Sequence, residues 1–223
     1  MPTTTRITER RDDALSRERI VAAAIAMLDA SGEGGLTVRG LAATLNTGLG
    51  ALYWHVKNKS DVLVAATDAV LADALATDSA DLTPEEAIRA VALGVFDAFD
   101  AHPWIGVQLS RLESQGTTVQ MLERLGQQLR ALGVPGKLQF DAAAALRNYI
   151  LGVAAQNAAL ATSVAPGTRR DDVLGAMADT WADLDPTEYP FTHGVADHLR
   201  NHDDRDQFLS GVNWLLAGIT APH

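Results

Sequence analysis

The stretch LTVRGLAATLNTGLGALYWHVKNK, residues 36–59, decides how this chain is read. Thr37 offers a side-chain oxygen suited to capping a helix start, and Val38, Leu41, Ala42 and Leu45 then recur with the helical period. Asn46-Thr47-Gly48 breaks the pattern with turn chemistry. The spacing predicts two short helices, about 37–45 and 49–55, with Gly48 supplying the unusual backbone angles of the turn. That arrangement is a helix-turn-helix, whose second helix enters the major groove of DNA. Leu36, Val38, Leu41, Ala42, Leu45, Leu49, Leu52 and Val56 are expected to pack inward, and Trp54 with them.

Helical signals continue on both sides. Upstream, Ser16 caps a helix with Ile20, Ala23, Ala24, Met27 and Leu28 on one stripe, expected to end near Ser31 at Gly32, Gly34 and Gly35. Downstream, Asn58 caps a helix reaching about Ala76. Thr83-Pro84-Glu85-Glu86 opens another, carrying Ile88, Val91, Ala92, Val95, Phe96 and Phe99, which stops at His102-Pro103. Further helices are expected over about 103–113, 118–132, 137–162, 171–183 and 203–219. No alternating strand pattern persists, so the fold class is all-α.

Charge is unevenly placed. The net charge of −10 over 223 residues is unpromising for a DNA-binding protein, yet residues 1–60 hold eight Lys or Arg against six Asp or Glu. Only the N-terminal quarter tolerates a polyanion; the remainder repels one. Cysteine is absent, which removes disulfides and thiolate sites and fits a cytoplasmic protein. No apolar run is long enough to span a membrane, and the polar Met1–Asp13 segment reads as a mobile arm.

Residues 15–75 resemble the DNA-binding domain of the tetracycline repressor (TetR) family, most closely in Leu52-Tyr53-Trp54-His55-Val56-Lys57-Asn58-Lys59 and in Leu36-Thr37-Val38-Arg39-Gly40-Leu41-Ala42. The resemblance implies a DNA-binding domain over 15–60, with a following helix to about 76, and a ligand-binding and dimerisation domain over 77–223. It implies phosphate contacts from Tyr53, His55 and Lys59, with Lys57 beside them, and places Thr37 and Arg39 near the groove. Arg39 has the two-pronged geometry that reads guanine. The recognition helix departs from a polar reading head: of Thr47, Gly48, Leu49, Gly50 and Ala51 only Thr47 carries a polar side chain. Base readout is therefore expected to be sparse, with DNA shape supplying part of the specificity.

The family's fold further implies a homodimer on a palindromic operator, built from two late helices that correspond here to about 137–162 and 203–219, and a small-molecule effector. Polar and aromatic residues on the apolar stripes, namely Phe96, Phe99, Trp104, Gln108, Asn148, Tyr149, Gln156 and Asn157, are the candidate pocket lining. Tetracycline repressors place a histidine near the end of the helix after the recognition helix; Leu75 stands there in this chain, so a different, fairly apolar effector is expected. The expected function is a repressor released by an inducer, with corepressor-dependent or activating regulation as the alternative. No catalytic residue, cofactor or metal is expected. The competing class is a helical metal-binding protein or enzyme using His198 and His202, four residues apart and near His193, Asp197, Asp203 and Asp204. Residue 199 is Leu, where a zinc-protease helix motif requires Glu.

Overall fold

The computed structural model describes residues 15–76, 81–109, 115–163 and 168–221. The expected N-terminal arm and the end of the helix expected over 103–113 lie outside these residues. Twelve helices and no strand occur among the described residues: α1 Arg17–Gly35, α2 Val38–Thr44, α3 Leu49–Tyr53, α4 Lys59–Leu75, α5 Pro84–Ala101, α6 Ile105–Leu109, α7 Gln115–Ala131, α8 Gly136–Ser163, α9 Arg170–Ala182, α10 Pro190–Gly194, α11 Ala196–Asn201 and α12 Asp204–Thr220.

The helix starts follow local side-chain chemistry. Ser16, Thr37 and Asp203 each accept a hydrogen bond from the backbone N–H three residues on, at Arg19, Gly40 and Asp206. Asn58 does the same for Asp61 (2.9 Å). Thr83 and Glu86 satisfy each other's backbone N–H in a full capping box. Those bonds, with Thr83's hydroxyl, hold the Glu86 carboxyl below the usual carboxylate range.

Contacts divide the chain into two units, 1–73 with 107–118 and 74–106 with 119–223, so the chain passes between them three times. In the first, α1 packs on α2 and α2 on α3. Ile20, Ala24 and Leu28 of α1 are fully buried with Leu36, Leu41, Leu52 and Val56. Two hydrogen bonds tie the 107–118 segment into this unit: Gln108 Nε2 donates to Glu33 Oε2 (2.9 Å), and the Thr117 hydroxyl donates to Asp68. In the second unit α5, α8 and α12 pack on one another, and α9 packs on α11. Phe208 of α12 stacks between Phe96 (4.8 Å) and Tyr149 (5.7 Å), and the Tyr149 hydroxyl donates to the Phe208 carbonyl. Burial there pushes the Tyr149 phenol up.

Two local expectations are corrected. α1 runs past Ser31 to Gly35, kinking at Gly32, whose φ of +61° is a glycine conformation. The left-handed residue of the interhelical turn is Asn46 (φ 50°), while Gly48 sits at φ −80°. Asparagine tolerates that region because its short amide bonds to nearby backbone. Between α9 and α12 the chain forms the short helices α10 and α11.

Among the described residues one buried side-chain group lacks a partner. Thr67 of α4 is fully buried among apolar neighbours, and its hydroxyl meets no hydrogen-bond partner. Thr67→Val keeps the branched shape and removes that hydroxyl. It is expected to stabilise the protein by about 1 kcal/mol, raising the melting temperature by roughly 2–4 °C. A thermal melt below that of the parent would contradict the assignment.

Candidate functional site

The helix-turn-helix buries one side of α2 and α3 and leaves the other bare. Leu41, Ala42 and Leu52 take the inner positions. On the outer side Arg39, Gly48, Leu49, Gly50, Ala51, Tyr53, Trp54 and Lys57 are exposed, with Thr47, His55 and Lys59 half-buried. Thr37, also exposed, uses one acceptor site of its hydroxyl to cap α2 and keeps its donor.

Two residues expected inside are outside. Leu49 is 38% exposed and Trp54 is 89% exposed. α3 is only five residues long, so Leu52, with Val56 beyond it, fills its single inward position, and Trp54 at the C-cap is turned to solvent. The outer side therefore presents two aromatic rings, Tyr53 and Trp54, next to a guanidinium and two glycines. Neither glycine is required by the fold. A Cβ on Gly48 or Gly50 would meet no atom within 4 Å, and both have ordinary negative φ. Within a helix Gly50 costs up to about 1 kcal/mol against alanine.

Lys59 is less free than its position in the motif implies. Its ammonium donates to the Glu33 carbonyl (2.6 Å), which also accepts from the Leu36 N–H, at the end of α1, where positive charge favours the helix dipole. A cluster of charge fastens the rest of the motif: Arg17 Nη1 donates to the His55 carbonyl (3.1 Å), and Asp61 Oδ2 accepts from the Lys57 N–H (3.0 Å). The sequence reading missed this use of Lys59 because the end of α1 and the start of α4 are adjacent only in the fold. Lys59→Met is accordingly expected to lower the melting temperature of the protein, roughly 1–2 kcal/mol, besides any effect on nucleic acid. An unchanged melt would place the ammonium elsewhere.

The second unit holds a cavity of about 590 Å³. Of the candidate pocket residues, Phe96, Phe99 and Asn157 line it, together with Ala158 and Leu160. The other five do not. Gln108 belongs to the first unit, and Trp104 is buried beside His102. Tyr149 is committed to Phe208, and Asn148 and Gln156 lie on the exposed side of α8. That side also bears Phe140, 73% exposed, and exposed Ala145, Gly152 and Ala159; on α12 Trp214 is 77% exposed beside Ala217 and Gly218.

The histidine pair has a different occupation. His202 caps α11, with Nδ1 against the Leu199 carbonyl (2.9 Å) and Nε2 against Asp204 (2.9 Å), while His198 is exposed. Among the described residues no group of three or more His, Asp or Glu side chains is placed to hold a metal ion. Among the described residues no helix is long and apolar enough to cross a membrane.

The chain matches no protein-family model. It is 29% identical over 210 residues to an HTH-type transcriptional regulator of Saccharopolyspora erythraea, covering 93% of this chain and 85% of that one. A 58-residue stretch is 45% identical to the class D tetracycline repressor of Escherichia coli, 26% of this chain and 27% of the repressor, so that likeness is local. Over the whole fold, a TetR transcriptional regulator of Streptomyces coelicolor superposes with a TM-score of 0.84 at 48% identity, covering 93% of this chain and 98% of its own. An all-helical fold with an N-terminal helix-turn-helix, joined to identity of that extent along nearly the full length, places the chain in the TetR family of transcriptional regulators.

Proposed function

We propose that this protein is a homodimeric repressor that holds a palindromic operator through α2 and α3 and releases it when a small molecule enters the cavity of the second unit. The observation that carries the DNA reading is the bare outer side of α2 and α3. Arg39 and Thr47 supply base-edge and phosphate donors, while Tyr53 and His55 supply phosphate contacts. Gly48 and Gly50, which the fold itself does not need, let the backbone approach the duplex closely.

A second head is required to read a palindrome. The exposed sides of α8 and α12 are suited to a two-fold contact: small residues admit close helix approach, and Phe140 and Trp214 supply apolar area that water otherwise covers. Asn148 and Gln156 then belong to the dimer rather than to the pocket. In this reading, release works through the connections between the units. A ligand in the second unit acts on the first through α4, through the 106–107 join and through α7, where the chain crosses between units. Changing the separation of two linked heads abolishes their simultaneous engagement and with it their avidity. Leu75, 2% exposed, stands where tetracycline repressors carry a histidine, so a magnesium-tetracycline complex is not the effector.

Selection of bound duplexes from a random library at low salt tests this reading. Enrichment of a palindrome by the parent, and none by a folded Tyr53→Ala variant, is the expected result. Tyr53 is the better control because Lys59 also holds the end of α1. A folded dimer that enriches nothing would count against the assignment.

A further inference from the structure

The chemistry of the cavity identifies the class of molecule it receives, a question that deepens the ligand-release reading above and rests on it. Its floor is apolar: Phe96 and Phe99 from α5, Ala158 and Leu160 from α8. Its mouth is acidic, with five aspartates lining it against two arginines. Both arginines are already engaged. Arg205 grips Asp97 through two bonds (3.1 and 3.2 Å), and Arg170 pairs with Asp204.

The helix ends add to this field. The last turns of α5 and α8 border the cavity, and neither carries a basic residue to offset its terminal carbonyls. The two helix starts that border it, α9 and α12, have their positive ends answered by their own acids: Asp171 and Asp172 in one, Asp204, Asp206 and the cap Asp203 in the other. Folding thus accounts for the acids on α9 and α12. It does not account for Asp100, a carboxylate in the last turn of α5, at the negative end of a helix, where it costs stability. Among the described residues no basic side chain pairs with it. Asp100 is exposed at the rim of an aromatic-lined cavity, so its carboxylate is open to a positive group that arrives from outside.

We propose that the cavity binds an organic cation with an apolar body, an amine or quaternary ammonium carried on a hydrophobic ring system. The ring lies over Phe96, Phe99 and Leu160, and the charged nitrogen lies at the mouth beside Asp100. A volume of about 590 Å³ accommodates a drug-sized molecule of this kind.

Calorimetry on the full chain without DNA tests this with three probes of one shape. They are (naphthalen-2-ylmethyl)trimethylammonium, its neutral carbon isostere 2-neopentylnaphthalene, and naphthalen-2-ylmethanesulfonate. The cation is expected to bind at least about tenfold more tightly than the neutral isostere, and the sulfonate more weakly than either. Asp100→Asn should cut the cation's affinity about three- to tenfold and leave the neutral probe unchanged; Asp183→Asn, exposed at the end of α9 and outside the cavity lining, should change neither. Equal or tighter binding of the neutral or anionic probe overturns the proposal, as does an Asp100→Asn variant that keeps the full preference, or no binding by any of the three at millimolar concentration. Because no DNA is present, failure here is separate from failure of the operator selection, which tests the regulator itself.

Discussion

Tyr53→Ala is expected to weaken operator binding by roughly 30- to 150-fold while leaving the melting temperature within about 2 °C of the parent. Tyr53 is 53% exposed, so its ring contributes little to the core; exposed substitutions usually fall within about 0.5 kcal/mol. Its phenol stands on the exposed side of α3, and the proposed interface gives its hydroxyl a phosphate oxygen to bond. Losing one such contact per head costs about 1–1.5 kcal/mol, and two heads double it, which gives the stated range. Fluorescence anisotropy with the selected operator measures the loss. Two companions locate its cause. Tyr53→Phe should reproduce most of it if the hydroxyl makes the contact, and little if the ring does. Because the tyrosine is neutral, the slope of log affinity against log salt should not change, whereas Arg39→Ala should make it shallower. A Tyr53→Ala protein that binds as the parent does would remove α3 from the interface.

Gly94→Ala is expected to destabilise the second unit strongly. α5 passes so close to the end of α4 that a Cβ at residue 94 would lie 2.5 Å from the Ala74 carbonyl oxygen and 3.4 Å from its carbon. The obstacle is backbone, so no rotamer change relieves it, and α4 or α5 must shift. Overpacking of this kind costs about 1–3 kcal/mol or more, against a gain of at most about 1 kcal/mol from replacing a helical glycine. A net loss of about 2 kcal/mol lowers the melting temperature by roughly 4–8 °C. Gly126→Ala in α7 is the control: its Cβ meets nothing within 4 Å, so propensity alone acts and the protein should gain stability. If both variants melt above the parent, the close approach of α4 and α5 is wrong. The contact lies one residue beyond Asp73, where α4 leaves the first unit, so a loosened Gly94 variant should also respond less to an effector.

Most of the fold was legible because its signals are local. Ser16, Thr37, Asn58, Thr83 and Asp203 cap their helices through bonds spanning three residues, and a residue three positions away is readable in a string. The stripe of α5, Ile88, Val91, Ala92, Val95, Phe96 and Phe99, is buried throughout, because a helix long enough to show its period also shows its inner face. α3 gave no such guide. Five residues hold little more than one turn, and the exposure of Leu49 and Trp54 depended on what α2 left uncovered.

The functional residues divide along the same line. The amino-acid sequence by itself determined the helix-turn-helix and, Leu49 and Trp54 excepted, the side chains on its outer face, since both lie within one continuous run of 24 residues, 36–59. Only the tertiary structure decided that Lys59 holds the end of α1, that Gln108 bonds to Glu33, that Asn148 and Gln156 lie outside while Asn157 faces the cavity, and that Asp97 pairs with Arg205 of α12 while Asp100 lines the same cavity. Arg205 and Asp97 stand 108 positions apart and form their pair because α5 and α12 pack on each other. Periodicity tells which face of a helix is apolar; which other helix covers that face, and which polar groups are thereby brought together at its ends, follows from packing all of the helices at once.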